Sequence, residues 1–187
     1  MGQIIARSLL TQMQITTKLK SMEEEVIALA ARETTTRPDE WVVRDALPAT
    51  DFGFVDERWV NQRATLLNTF QADWVLAGGY LGFQLPVNKY AVFYGINQNP
   101  LNPTIYGIRF RQGRTGATTI DTIHFRKVLE EDNTIGFFDR IIYRPQSVIW
   151  IDLIANAVTA INTEEFEILT LICEKYGDVV SGAKNII

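Results

Sequence analysis

Cysteine and histidine are nearly absent from this chain. Its 187 residues include one of each, Cys173 and His124. A single cysteine excludes an intrachain disulfide and a four-thiolate zinc site. It also fits a reducing compartment. One imidazole and one thiol are too few for a zinc or iron centre built from several such ligands. Positive charge is not in excess either. The 18 Lys and Arg stand against 22 Asp and Glu, for a net charge of −4 and a pI near 5.1. A nucleic-acid binder normally carries a basic footprint, so no nucleic-acid partner is expected. No apolar run reaches the roughly 18 residues that a membrane-spanning helix needs. Polar residues interrupt Ile4, Ile5, Leu9 and Leu10 too often for a signal-peptide core. Ala6 stands where an N-myristoylation motif needs Ser or Thr. The chain lacks G-x-G-x-x-G, G-x-x-x-x-G-K and G-x-S-x-G, and it has no internal repeat.

What is present divides along the chain. Residues 3–32 read as helix. Ile15, Leu19, Met22, Val26 and Leu29 recur at spacings of 4, 3, 4 and 3, which makes a two-heptad apolar seam. Ser21 and Glu24 match a capping box, so a helix restart at Ser21 is expected. Two heptads do not form a stable helix alone, because nucleation is costly. The seam therefore needs a surface, either on its own β-domain or on a neighbouring subunit. Residues 34–69 read as an extended linker that the Thr34–Pro38 stretch separates from the helix. Its large apolar groups, Trp41, Phe52, Phe54 and Trp59, are expected to dock it onto a surface.

From residue 70 onward the pattern is β. Strands are expected over Phe70–Leu76, Gly82–Val87, Tyr90–Ile96, Ile105–Gln112, Thr118–Val128, Ile135–Tyr143, Ser147–Ile154 and Phe166–Cys173. Turn signals separate them and no amphipathic helix intervenes. That spacing predicts a mainly β fold, an antiparallel sandwich of jelly-roll type preceded by an N-terminal helical arm. The implied organisation is an arm (1–33), a docking linker (34–69) and a β-sandwich domain (70–187). In Ile105–Gln112, strict alternation puts Ile105, Gly107, Arg109 and Arg111 on one face, opposite Tyr106, Ile108 and Phe110.

Candidate chemistry is thin. Cys173 lies in an apolar strand and reads as an inert small hydrophobe. His124 reads as an exposed or partner-bound side chain, although the two could formally make a thiol nucleophile and base. Asp121, Asp139 and Asp152 fall on or near strands where a carboxylate pair could converge. Glu130, Glu131 and Asp132 form an acidic loop of the kind that can bind calcium or simply be solvated. The arginines are more telling. Arg109, Arg111, Arg114, Arg126, Arg140 and Arg144 cluster between residues 105 and 145 with one lysine, Lys127. Arginine suits bidentate pairing with carboxylates. Glu23–Glu25, Glu164, Glu165, Glu167 and Glu174 are available, within the chain or across subunits.

A helical arm, an aromatic-studded linker and one jelly-roll-like sandwich resemble the plan of the cement (decoration) proteins of tailed-bacteriophage capsids. Thr118–Arg126 and Glu165–Glu174 are similar in character to phage structural β-strands. The resemblance is one of architecture and carries no residue role by position. It implies a non-catalytic virion protein without cofactor or metal, made in the host cytoplasm and seated on the capsid surface. Its partners would be itself, as a homotrimer or other symmetric oligomer, and a major capsid protein. An arm of about 30 helical residues would reach roughly 45 Å. The interface candidates are Ile15, Leu19, Met22, Val26 and Leu29, then Trp41, Phe52 and Phe54, and finally Arg109, Arg111 and Arg114. The rival reading is a carbohydrate- or receptor-binding β-sandwich of a phage tail or surface protein, using aromatics around the Asn97–Asn102 loop. A hydrolase on the same scaffold is the third possibility.

Overall fold

The structure is a computed structural model that describes residues 4–53, 68–72, 82–98, 105–114, 118–125, 135–155 and 166–177. The chain enters through a short strand, β1 (Ile4–Ala6), and a 3-10 turn (Arg7–Leu9). It then forms one long helix, α1 (Gln12–Thr34). A second 3-10 turn (Pro38–Glu40) leads to β2 (Trp41–Asp45) and the short helix α2 (Pro48–Phe52). The remaining strands are β3 (Gln71–Ala72), β4 (Phe83–Gln84), β5 (Lys89–Gln98), β6 (Ile105–Gln112), β7 (Thr118–His124), β8 (Ile135–Tyr143), β9 (Val148–Ala155) and β10 (Phe166–Lys175).

Two antiparallel sheets face each other. Sheet A has the order β1-β8-β5-β10-β2, and sheet B has the order β3-β9-β6-β7, with β4 also on β9. The pairs nest: β6 with β7, β5 with β8, β3 and β4 with β9, and β2 with β10. Phe93 sits at the centre of the core between the sheets, with Phe110, Tyr143 and Phe52 at 5.2, 5.6 and 6.0 Å between ring centroids. These tilted, edge-on and stacked ring contacts add to what the rings gain from buried area.

Helix α1 lies on the outer face of sheet A and makes a third layer. Its true start signal is Thr11. The Thr11 hydroxyl accepts from the Gln14 N–H at 3.3 Å, and Gln14 Oε1 accepts from the Thr11 N–H at 2.8 Å. The helix then runs through Ser21 without the expected restart. The capping motif at Ser21 has no free N-terminus to cap, because the turn before it is already hydrogen-bonded. Thr35, in the left-handed conformation at φ 55°, ends the helix, and the Thr36 N–H returns to the Ala31 carbonyl at 3.0 Å.

Two expectations about organisation are corrected. β1 and β2 are strands of sheet A and not parts of a separate arm and tether. Residues 4–6 pair with β8, and residues 41–45 pair with β10 from Trp41↔Lys175 to Asp45↔Leu171. Within the expected linker, Trp41–Asp45 is therefore a strand at the end of sheet A next to β10, and residues 54–67 lie outside the described residues. Strict alternation along β6 also breaks at its start. Tyr106 is an extra residue opposite β9, and this bulge turns Ile105 into the core beside Ile108 and Phe110.

Candidate functional site

The seam of α1 is met at home. Ile15, Met22 and Val26 are buried against Trp41, Tyr90, Tyr94, Phe137 and Leu171 of sheet A, with Leu19 and Leu29 half-buried on the same cluster. This corrects the expectation that the seam rests on a neighbouring subunit. The physical reason lies in the central strands. β5 is buried on both faces, so its outer side needs an apolar cover, and α1 supplies it. Burying a Val or Met side chain is worth about 1.5–3 kcal/mol. Polar ties fix the register of helix on sheet. Glu33 accepts from the Tyr90 hydroxyl at 3.0 Å and pairs with Arg144 at 3.0 Å, and Glu25 pairs with Arg140. These are intrachain pairings of the kind the charge distribution allowed. Trp41 belongs to the same layer, with its indole N–H on the Thr36 hydroxyl at 2.8 Å and its ring edge-on to Tyr90. Phe52, at the end of α2, points into the core between the sheets. Neither aromatic is an external anchor. Phe54 and Trp59 lie outside the described residues.

The arginines divide. Arg109 and Arg111 project from one face of β6 towards Asp152 on β9, as the Arg109↔Asp152 register requires. Arg109 Nε donates to Asp152 Oδ2 at 2.6 Å, and Arg111 Nη2 donates to Oδ1 at 2.6 Å. The Asp152 side chain is almost wholly buried. Phe70 lies 4.7 Å from the Arg109 guanidinium, and Trp150 lies 5.2 Å from that of Arg111. The two candidates therefore brace sheet B from outside, both held by the one Asp152 carboxylate. Arg114 differs: it is exposed on the turn after β6. Ile108 and Phe110 occupy the opposite, core-facing side of β6.

A second ion cluster closes one end of the sandwich. Arg44 grips Asp51 with both terminal nitrogens at 2.7 Å and donates through Nε to Glu174 at 2.7 Å. Lys89 reaches Asp51 at 2.7 Å and Glu174 at 3.1 Å. The Leu47 N–H also donates to Asp51 at 2.8 Å. Burial alone would raise the Asp51 carboxyl, but the donors from Arg44, Lys89 and Leu47 outweigh it and hold the group below the usual carboxylate range. Two cations and two anions balance within this cluster.

The formal thiol–imidazole pair is not assembled. Cys173 sits on the helix side of sheet A, fully buried, and burial followed by the neighbouring Glu174 charge pushes its thiol up to about 12. His124 is exposed on β7 of the other sheet, its ring 5.7 Å from Phe70. The three aspartates do not converge as a catalytic pair. Asp139 belongs to sheet A, Asp121 accepts from the Thr122 N–H, and Asp152 is held by two arginines. Among the described residues no group of three or more His, Cys, Asp and Glu could hold a metal ion. The Glu130–Asp132 loop, Arg126, Lys127, Glu164, Glu165 and residues 99–102 lie outside the described residues, as do residues 73–76 of the strand expected from Phe70. No helix among the described residues is long and apolar enough to cross a membrane.

One concave surface was not foreseen. A groove of about 640 Å³ opens at the end of the sandwich where β4, β6 and β9 meet the β8–β9 corner. Gln84, Gln112, Gln146 and Arg114 offer side chains to it. No family model matches the chain, and no curated protein matches it.

Proposed function

We propose that this chain is a structural protein of a virus particle, which works by joining surfaces and not by catalysis. The observation that carries the reading is the nesting of its strand pairs. Taken from β2 onward, with β3 and β4 as one broken strand, eight strands alternate between sheets as A, B, A, B, B, A, B, A. The pairs close from β6–β7 outward to β2–β10. We read that order as a hairpin rolled into a jelly roll, an architecture common among viral capsid and lectin domains. The functional step is an analogy of fold. The spending of buried charge on internal braces supports it, since a load-bearing body needs rigidity more than poised groups.

The contact surface is not the helical seam. Among the described residues, exposed apolar groups gather beside the edge strand β1 as Ile5, Leu9 and Met13, at 44, 72 and 79 % exposure, while Leu47, Val87, Ile120 and Tyr176 lie exposed elsewhere. Exposed apolar groups beside an open sheet edge favour docking. The partners would be further copies of this chain and a major capsid protein, on the outside of a particle. The test is quantitative mass spectrometry of purified particles carrying either the natural chain or a Leu9→Asp, Met13→Asp variant. The natural chain should be present in symmetric copy number. The variant should fold, with an unchanged melting temperature, and be missing from particles. A variant incorporated at the natural level would overturn the reading.

A further inference from the structure

The groove beside β4, β6 and β9 has the build of a binding site, and its chemistry selects a ligand class. We propose that it binds a sugar bearing a carboxylate, such as a uronic or sialic acid residue of a glycan. The proposal is independent of the shell reading.

The groove walls are fixed. The Leu85 N–H donates to the Ser147 carbonyl at 2.9 Å, the Gln146 N–H to the Leu85 carbonyl at 3.0 Å, and the Gly113 N–H to the Val148 carbonyl at 3.1 Å. Beneath them the Trp150 indole N–H donates to the Gly113 carbonyl at 2.8 Å. A site whose shape is set before binding loses little freedom on binding.

Three of the lining residues hold left-handed backbones: Gly82 at φ 65°, Gly113 at φ 101° and Gln146 at φ 62°. At Gly82 a Cβ would stand 2.7 Å from the Trp150 Nε1, so the wall closes tightly there. Above Gly113 nothing lies within 4 Å of that position, so the mouth is open. Gln146 is the odd member. A left-handed turn favours glycine or asparagine, and glutamine there costs backbone energy. Strain of this kind concentrates where a side chain serves a ligand.

The side chains offered are three amides and one guanidinium. An amide both donates and accepts, which matches a hydroxyl that does the same. Gln112 Nε2 is 3.3 Å from the Ser147 hydroxyl, which orients that amide. Gln84 and Gln146 have no side-chain partner among the described residues, and neither does Arg114. Among the described residues that line the groove Arg114 is the one charged group, and none is a carboxylate. A planar fork of donors pairs bidentately with a carboxylate. One cation among amides suits a polyhydroxylated ligand with a single negative charge. A phosphate or polyanion would call for more positive charge.

The test uses saturation-transfer NMR and calorimetry on the full chain with three probes: glucuronic acid, N-acetylneuraminic acid and neutral glucose. Inorganic phosphate is the competitor. At least one acidic sugar should bind, and glucose should bind at least about tenfold more weakly. Arg114→Ala should remove that preference. Gln146→Gly should weaken the acidic sugar about tenfold while its melting temperature stays level or rises, because the backbone strain is relieved. That pairing of lost binding with retained stability separates a ligand role from a structural one. Absence of binding by both acidic sugars, equal binding of glucose, displacement by equimolar phosphate, or natural affinity in both variants would each overturn the proposal.

Discussion

The two outer faces of the sandwich solve the same problem in opposite ways. Sheet A presents Tyr90, Val92, Tyr94 and Leu171 outward and covers them with the apolar stripe of α1. Sheet B presents Arg109, Arg111 and Asp152 and seals them with each other and with the Phe70 and Trp150 rings. The first face gains from area removed from water. The second gains little from charge as such, since desolvation offsets much of the Coulomb attraction. Its value is geometric: two forked donors on one carboxylate fix the spacing of β6 and β9. The apolar face should therefore tolerate changes of shape that conserve volume, whereas the charged face should tolerate no loss of a partner.

Four experiments break or sharpen that contrast. The largest effect is expected from Val26→Asp, which places an unpaired carboxylate at a site with no exposure. It should cost at least about 4 kcal/mol and undock α1, seen as lost helical signal and a lowered urea midpoint. Asp152→Ala comes next, at about 3 kcal/mol, because two guanidiniums lose their shared partner. As the control on the apolar face, a volume-conserving Leu171→Met should cost under about 1.5 kcal/mol, which keeps the two faces distinct in urea titrations. The third test uses acid. The Asp51 carboxyl is held below its ordinary value in the fold, so its stabilisation is complete above the ordinary carboxylate pKa and is lost as pH falls through the depressed one. Unfolding free energy should thus be flat from neutrality to about pH 5 and then drop, and Asp51→Asn should flatten that drop. The smallest effect is Thr11→Ala, about 1 kcal/mol from the lost cap, read in the same titration.

The strands with the strongest periodicity were legible. Ile105–Gln112 and Ile135–Tyr143 have the bounds that their patterns predict, and β5, β9 and β10 differ from expectation by one or two residues at their ends. Alternation and β-branched content are local, so they can be read locally. What was not legible is where an amphipathic face comes to rest. The 4-3-4-3 seam of α1 reads the same whether its partner is its own sheet or another chain. Only the outward apolar set on β5, β8 and β10, scattered from residue 90 to residue 173, decides between them. Trp41–Asp45 was hidden for the same reason, as its ladder partner lies some 130 positions away. At Thr11 the signal was present, since Thr-x-x-Gln is a capping box, and the Ser21 match obscured it. The groove had no signal at all, because turns from three separate connections build it.

The position of α1 has a consequence for how the chain is made. A ribosome delivers residues 12–34 first, while the strands that receive them run from residue 89 to residue 175. At about 5–20 residues per second, the helix waits on the order of ten seconds before its berth exists. Throughout that interval its oily stripe is open to chaperones and to other nascent chains.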